Sequence, residues 1–321
     1  MKKKAQKPIL VTGTHCSGTT WVGRMLAATS QVGYIQEPFN PAISFGENPF
    51  PFEHCFQYIA SEASESETAG RYFETFSAIT TFRYPFRQHT NQINSVIDLC
   101  RILKGQSRTL LYQSSKRRAL LKDPIAFFSA EWLHQQFDMD VVVMIRHPAA
   151  FCASLVQREW QFDFSDFSSQ PLLMEKYLYP FERDILAFSV QQPSILEQGI
   201  LLWNIFYSVV QKYQKKHRNW IFIKHEDISR DPVTQFQKLY ASLDLSFTAK
   251  AEKAILSHSH TLNTNERYSI NRQQSSSQNL RRDSLTNIKT WKQRLSEEEI
   301  LAVRSKTEAI ASHFYSNTDW L

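Results

Sequence analysis

The chain has 321 residues, 42% of them hydrophobic and 13% aromatic, so it can bury a sizeable core. Its 37 basic and 31 acidic residues give a formal net charge of +6, which suits an anionic ligand. This charge is too small and too scattered to indicate a nucleic-acid partner. No break in composition divides the chain, so we expect one domain over residues 1–321.

The sequence carries no pattern typical of secretion, of a membrane anchor or of a metal site. The basic start at Met1–Lys4 precedes an apolar run of only about four residues, whereas a signal peptide needs roughly 7–15. The longest apolar stretch, 199–210, is too short to span a bilayer. The four cysteines are widely spaced and form no C-x-x-C pair. We therefore expect a cytoplasmic protein with reduced thiols, no transmembrane segment and no metal.

Predicted strands and helices alternate along the chain. Apolar runs rich in β-branched residues predict strands at 9–11, 119–121, 141–145 and 220–224. Helical patterns cover 19–28, 125–137, 149–158, 200–213 and 233–243, and a capping box of Ser296 and Glu299 opens a last helix at 297–313. This alternation predicts a three-layer α/β fold, with a mostly parallel central sheet and helices on both faces.

The remaining segments are predicted to be less regular. We interpret 33–51 as a loop, 61–68 as a solvated polar stretch and 161–193 as an irregular aromatic segment that lines a binding site. Residues 80–118 are largely helical in pattern. Residues 1–7 are expected to form a flexible N-terminus, and residues 257–284 a polar loop rich in Ser, Asn, Gln and Arg.

The most informative motif lies between the first predicted strand and the first predicted helix. Gly13 and the residue after it precede the run His15, Cys16, Ser17, Gly18, Thr19, Thr20 and Trp21. A turn of small residues that opens a helix presents backbone N–H groups at the positive end of the helix dipole, where an anion binds. The motif therefore predicts a phosphate-type or sulfate-type ligand.

The spacing of Gly13 and Gly18 matches a nucleotide P-loop, but Thr19 stands where that loop has the lysine that reaches the β- and γ-phosphates. The S-G-T-T-W run instead resembles the 5′-phosphosulfate loop of sulfotransferases. These enzymes use 3′-phosphoadenosine 5′-phosphosulfate (PAPS). The motifs are most similar to those of bacterial carbohydrate-type and tyrosylprotein sulfotransferases. The resemblance implies a P-loop-like fold in which residues 15–21 bind the donor.

A second match follows the predicted strand 141–145. Arg146 stands at the carboxyl end of this strand, where open α/β sheets bind ligands, and Ser154 follows eight positions later. The planar guanidinium of arginine pairs with phosphate oxygens through two hydrogen bonds. The pair resembles the 3′-phosphate site of sulfotransferases. Arg281 and Arg282 resemble the C-terminal segment of the family that closes over the same phosphate.

The resemblance also implies two catalytic residues. Glu37 lies 16 residues beyond Trp21 and is similar to the glutamate base of tyrosylprotein and bacterial carbohydrate sulfotransferases. Lys122 resembles the lysine of the tyrosylprotein enzymes that stabilises charge on the bridging oxygen. The alternation of side chains along a strand is expected to turn Asp123 away from the crevice.

These motifs imply in-line transfer of a sulfuryl group from PAPS to a hydroxyl of a small molecule or glycan (carbohydrate, lipid-linked or phenolic), with PAP as the other product. Two alternatives remain open. A kinase or NTPase could use Glu226 and Asp227 to hold Mg²⁺, although the resemblance assigns them a structural role near the adenine. A catalytically weak PAPS- or PAP-binding relative would explain Cys16, because the family usually has lysine or arginine there.

Overall fold

The computed structural model describes residues 7–40, 52–61, 67–83, 107–259 and 288–321. Its centre is a five-stranded sheet in the order β2-β3-β1-β4-β5. The strands are β1 (Ile9–Gly13), β2 (Val32–Gln36), β3 (Arg118–Lys122), β4 (Asp140–Ile145) and β5 (Ile221–Lys224). All neighbouring strands in this sheet pair in parallel. The predicted parallel sheet with helices around it is confirmed.

Fourteen helices are found within the described residues. They are α1 (Thr19–Leu26), α2 (Glu67–Thr80), α3 (107–114), α4 (Ala130–Phe137), α5 (Pro148–Gln157), α6 (Ser165–Ser168), α7 (Pro171–Leu173), α8 (Glu182–Val190), α9 (Ile195–Lys216), α10 (His225–Arg230), α11 (Pro232–Ser242), α12 (Ala249–Ser259), α13 (Trp291–Arg294) and α14 (Glu297–Ala311). Short 3₁₀ turns occupy Phe127–Ser129, Tyr179–Phe181 and Asn317–Asp319, and a π-helical turn occupies Met174–Leu178.

The sheet is buried on both faces, as strand β4 illustrates. Val141, Val143 and Ile145 join a large apolar cluster formed with α4, α5 and α9. Val142 and Met144 join a second cluster formed with α1, α11 and α12. Alternate residues of a strand point to opposite faces, so a run of apolar residues is what a strand covered on both sides requires. The three-layer arrangement follows from this pattern.

Two capped helix starts differ in how well the sequence located them. The predicted capping box of α14 is present, since the Ser296 hydroxyl accepts from the Glu299 N–H at 3.2 Å and the Glu299 carboxylate accepts from the Ser296 N–H at 2.8 Å. Helix α9 starts five residues earlier than predicted, at a second capping box formed by Ser194 and Glu197. Glu197, Gln198 and Gly199 separate its first two apolar residues from the apolar run that begins at Ile200, which hides the start from an analysis based on apolar periodicity.

The predicted loop over 33–51 was wrong at its beginning. Residues 32–36 form the edge strand β2, with Val32 opposite Arg118 and Gln36 opposite Lys122. Gly33 weakens the local strand signal, and pairing with β3 overrides it. The segment 161–193 was also more regular than expected, because it contains α6, α7 and α8. Residues 1–6, 41–51, 62–66, 84–106 and 260–287, with the predictions made for them, lie outside the described residues.

In the described part of the chain, no helix combines the length and the apolar character needed to cross a membrane.

Arg118 ties three parts of the fold together at the start of β3. Its guanidinium is buried and donates to the carbonyl oxygens of Lys7 and Leu243 and to the carboxylate of Asp140. These contacts join the segment just before β1, the C-terminal cap of α11 and the first residue of β4. A buried cation is tolerated only when its donors are satisfied in this way.

We expect Arg118→Ala to lower the free energy of unfolding by about 3 kcal/mol, because it leaves several buried oxygens without a donor. Urea denaturation measures this loss. The control is Arg218→Ala at an exposed arginine, for which a change below about 0.5 kcal/mol is expected. Equal stabilities of the two variants would contradict the role given to Arg118.

Candidate active site

The strand order brings the candidate residues into one row. Glu37 follows β2, Lys122 ends β3, the loop 14–18 follows β1, and Arg146 follows β4. In a parallel sheet the carboxyl ends of all strands lie along the same edge, with neighbouring strands about 4.8 Å apart. The row therefore follows the spatial order β2, β3, β1, β4 rather than the order in the chain.

The loop between β1 and α1 is shaped by two glycines that have positive φ. Gly13 has φ of 140°, and a Cβ there would lie 2.6 Å from the Met144 carbonyl oxygen. Gly18 has φ of 95°, and a Cβ there would lie 2.5 Å from the His225 ring. Only glycine tolerates both the conformation and the close approach. Between them Cys16 adopts φ of 62°, an uncommon conformation for a residue with a side chain.

Ser17 stabilises this loop through two hydrogen bonds to a residue of the same loop. Its hydroxyl donates to the Thr14 carbonyl oxygen at 2.5 Å, and its N–H donates to the same oxygen at 3.2 Å. Helix α1 then begins at Thr19, and no side chain of the described residues caps its first turn. The N–H groups of such a turn have no partner inside the helix, so they are available to an anion.

His15 and Trp21 flank this turn but direct their rings into the protein. The His15 ring lies among Phe56, Phe151, Trp160 and Phe206, with a centroid distance of 4.0 Å to Trp160. Trp21 packs against His225 and Phe236 on the other face of the sheet, at 5.9 and 5.6 Å. Their side chains therefore anchor the two ends of the loop on the two faces of the sheet.

Arg146 contacts the loop directly. Its guanidinium is buried and donates to the Cys16 carbonyl oxygen, whereas its Nε has no hydrogen-bond partner among the described residues. Helix α9 fixes its backbone: the Arg146 N–H donates to the Tyr207 hydroxyl at 2.5 Å, and the Trp203 indole N–H donates to the Arg146 carbonyl at 3.0 Å. Burial lowers the pKa of Arg146, but a guanidinium remains charged in proteins.

Ser154 lies on α5, the helix that follows Arg146. Its side chain is buried, and its hydroxyl donates to the Ala150 carbonyl oxygen of its own helix at 2.8 Å. A hydroxyl oxygen that donates in this way can still accept a hydrogen bond but has no second proton to give. Arg281 and Arg282, the other two predicted phosphate contacts, lie outside the described residues.

Glu37 and Lys122 form an ion pair. The Lys122 side chain is 1% exposed and that of Glu37 is 17% exposed, so the pair lies just below the surface. The Glu37 N–H donates to the Lys122 carbonyl oxygen at 2.8 Å, and Asn40 donates to the other Glu37 carboxylate oxygen at 2.7 Å. Gly23 of α1 leaves room for the lysine stem, because a Cβ there would lie 2.9 Å from the Lys122 Cγ.

Asp123 holds the segment that carries Glu37. One oxygen of its fully buried carboxylate accepts from the Phe39 N–H at 2.7 Å, and the other accepts from the N–H groups of Ile125 and Ala126 at 2.9 and 3.2 Å. Burial, together with the charge of Glu37, raises the pKa of Asp123 to about 7. Asp123 thus fastens the chain after β2 to the end of β3.

The histidines near the strand ends do not contribute positive charge at neutral pH. Burial lowers the pKa of His15, His147 and His225 to about 3 in each case. The charge beside the loop therefore comes from the guanidinium of Arg146. Among the described residues, no group of three or more His, Cys, Asp or Glu side chains is arranged to hold a metal ion.

A sequence profile described as the sulfotransferase family matches residues 8–249, which is more than half of the chain. The chain belongs to the sulfotransferase family. No curated protein sequence matches it at a significant level. The matched range begins just before β1 and ends at the start of α12, so it includes the loop, Glu37, Lys122, Arg146 and Ser154.

Solved sulfotransferase structures resemble the fold at low sequence identity. A sulfotransferase domain from the curacin biosynthetic pathway is 14% identical with a TM-score of 0.50, over 97% of this chain and 98% of that one. Sulfotransferase STF9 from Mycobacterium avium is 14% identical with a TM-score of 0.42, over 97% and 78%. Mouse sulfotransferase SULT7A1, complexed with PAP, is 11% identical with a TM-score of 0.44, over 97% and 86%. The curacin-pathway domain supports the P-loop-like α/β fold.

Sequence reasoning missed three residues that position the sulfotransferase site. Asp123 was expected to turn away from the crevice, and its hydrogen bond from the Phe39 N–H, which holds the segment after Glu37, was not foreseen. The position of Asp123 in the sequence Lys-Asp-Pro does indicate a hydrogen-bonding role, because aspartate side chains commonly accept from backbone N–H groups two or three residues later in the chain. Tyr207 and Trp203, which hold Arg146, were hidden in the apolar helix α9, where nothing in the sequence marks a hydrogen-bonding role.

The buried ion pair predicts a measurable coupling. We expect Glu37→Gln to lower the free energy of unfolding by about 3 kcal/mol, because the ammonium of Lys122 is left buried without its carboxylate. Adding Lys122→Met removes that charge and should recover most of the loss. Urea denaturation of both single variants and the double variant measures the coupling, and Glu182→Gln at an exposed position of α8 is the matched control. If the two substitutions changed the free energy of unfolding additively, the pairing would be contradicted.

Proposed function

We propose that this protein is a PAPS-dependent sulfotransferase that transfers a sulfuryl group to a hydroxyl acceptor. The observation that carries the proposal is the contact between the Arg146 guanidinium and the Cys16 carbonyl oxygen. It brings the candidate 3′-phosphate residue alongside the loop that resembles the 5′-phosphosulfate loop of the family. A turn that suits an anion and a cation beside it fit one ligand that carries phosphate on both the 3′- and the 5′-oxygen of its ribose.

The residues present fit such a donor. The first turn of α1 has no side-chain cap from the described residues, and the buried Nε of Arg146 has no protein partner there. We assign the N–H groups at Ser17–Trp21 to the 5′-phosphosulfate, and Arg146 and Ser154 to the 3′-phosphate. Arg281 and Arg282 are proposed to close over the same phosphate. PAPS, when bound, supplies the sulfuryl group that is transferred.

Glu37 is the proposed general base. It accepts the proton of the acceptor hydroxyl while the acceptor oxygen forms its bond to sulfur, a contribution of about 10²–10⁴-fold. Its location supports this role, because β2 and β3 lie on the side of β1 opposite to β4. An acceptor over Glu37 therefore approaches the loop from the side away from Arg146, and in-line displacement requires its oxygen to attack sulfur opposite the bridging oxygen.

Lys122 is the proposed stabiliser of the leaving group. Its ammonium balances the negative charge that the bridging oxygen of the 5′-phosphate gains while its bond to sulfur breaks. This role is more important here than elsewhere in the family, because Cys16 replaces the basic residue that usually contacts the same region. In the structure Lys122 binds Glu37 and lies beside Val11 of β1, so the proposed base and the proposed cation are neighbours next to the loop.

The kinase alternative receives less support. Glu226, a candidate magnesium ligand, accepts from the His147 N–H at 3.0 Å and from the Tyr315 hydroxyl at 3.0 Å, so its carboxylate has structural partners. Family membership also favours sulfuryl transfer over phosphoryl transfer.

The acceptor class (a small molecule or glycan with a free hydroxyl) and the cytoplasmic location expected from the sequence are parts of the same proposal.

The test of this function is transfer from ³⁵S-labelled PAPS to a panel of hydroxyl acceptors. We expect Glu37→Gln to lower kcat by about 10²–10⁴-fold, since the base is lost, while the dissociation constant for PAP changes by less than about twofold. Calorimetric titration with PAP measures the second quantity and shows whether the variant is folded at the assay temperature.

Glu182→Gln, which changes the same side chain at an exposed site, serves as the control and should retain full activity. Transfer by Glu37→Gln within about twofold of the wild type would remove Glu37 from the mechanism. A wild-type protein that binds ATP·Mg²⁺ but not PAP would overturn the whole proposal.

A further inference from the structure

The side chain of Asp123 connects the proposed base to the centre of the sheet. The parallel register sets Gln36 of β2 opposite Lys122 of β3, so the chain leaves the sheet with Glu37 and Asp123 as neighbours. One carboxylate oxygen of Asp123 then accepts from the Phe39 N–H at 2.7 Å, across 84 positions of the sequence. This bond holds the segment after Glu37 to the end of β3.

The backbone of Glu37 depends on such contacts. Its φ is 44°, in the left-handed region that residues with a side chain seldom adopt. The Glu37 N–H donates to the Lys122 carbonyl oxygen at 2.8 Å, and the Asn40 N–H donates to the Glu37 carbonyl oxygen at 3.0 Å. A strained conformation persists only where the surrounding contacts over-determine it. The direction of the Glu37 carboxylate is therefore set by the bonds around this turn, and the bond to Asp123 is one of them.

Groups from three parts of the chain act on the charge of Asp123. Glu37, after β2, repels it, and Lys122, at the end of β3, attracts it. Cys55, from the segment 52–61, also feels its charge, and burial raises the pKa of that thiol to about 12, so the thiol is neutral at working pH. Within this buried group two carboxylates compete for one ammonium, and Lys122 pairs with Glu37. Such a pair of carboxylates readily binds one proton.

A proton on Asp123 would weaken one particular hydrogen bond. The ionised carboxylate accepts from three N–H groups: those of Ile125 and Ala126 share one oxygen, and that of Phe39 has the other. The oxygen with the single N–H donor is the one with room for a proton. Charge-assisted hydrogen bonds are roughly twice as strong as neutral ones, so protonation there loosens the hold on Phe39. The pKa of Asp123, raised to about 7 by burial and by Glu37, puts this change near neutral pH.

We propose that Asp123 is a positioning residue that holds Glu37 in its catalytic orientation while the Asp123 carboxylate is ionised and releases it on protonation. The inference rests on the proposed role of Glu37. Asp123 acts through the turn that carries Glu37 and takes part in no bond making itself. Sulfuryl transfer thereby acquires a dependence on pH near neutrality that comes from a residue outside the reacting groups.

Asp123→Asn tests this role, because an amide offers one accepting oxygen and one donating nitrogen and so imitates the protonated acid at every pH. We expect kcat to fall about 10–100-fold at about pH 8.5, the cost of misplacing a catalytic group, and the ratio of wild-type to variant kcat to approach unity at about pH 5.5. The dissociation constant for PAP should stay within about twofold of the wild type at each pH. Asp184→Asn, at an exposed position on α8, is the matched control and should follow the wild type throughout.

A second measurement is independent of activity. In the full-length protein labelled with [¹⁵N]phenylalanine, the amide proton of Phe39 should move downfield as pH rises, because its acceptor becomes charged. We expect a midpoint near the pKa of Asp123, about 7, and no such step in Asp123→Asn. Phe39→Leu identifies the resonance. The titration of the wild type alone decides this part of the test if Asp123→Asn does not fold.

Two results would overturn the inference and leave the proposed function intact. One is a loss of kcat in Asp123→Asn by the same factor at every pH, which is what a purely structural residue would give. The other is a wild-type Phe39 resonance that shows no step between about pH 5.5 and about pH 8.5. Failure of the wild type to bind PAP would instead refute the proposed function, whereas the titration of Phe39 would still be observed.

Discussion

The parallel pairing of β1 with β3 on one side and β4 on the other is the constraint on which the site depends. It sets Val11 beside Lys122 and Gly13 beside Met144, so the loop after β1 emerges between the tips of its two neighbours. The end of β1 lies more than a hundred residues from the ends of β3 and β4 in the sequence, yet the sheet brings all three ends to one edge. The row of polar residues, and with it the proposed chemistry, follows from that register.

This arrangement buries several charged groups away from water. Lys122, Asp123 and Arg146 are all buried, and each is held by specific partners: Glu37, backbone N–H groups and the Cys16 carbonyl. Burial of charge costs free energy unless it is matched in this way. Buried charged groups of this kind add little to the stability of the fold. They do hold the proposed catalytic groups in fixed positions, which favours electrostatic stabilisation of a transition state.

The sequence located much of this architecture because its signals were local. Strands β1, β3, β4 and β5 are apolar runs, and the loop motif stands between a strand and a helix, so both could be recognised without tertiary information. Strand β2 could not, since Gly33 weakens its pattern and its pairing with β3 is long-range. The same reason hid the contact between Glu37 and Lys122, which are 85 positions apart. The role of Asp123 also depends on chain segments that meet only in the fold.

The most direct test of the central claim is a crystal structure of the protein with PAP. The account predicts the 5′-phosphate within hydrogen-bond distance of the N–H groups at the start of α1, and the 3′-phosphate on the guanidinium of Arg146. It also predicts that Glu37 and Lys122 lie on the opposite side of the loop from the adenosine. PAP bound elsewhere, or bound with its 3′-phosphate toward Glu37, would contradict it.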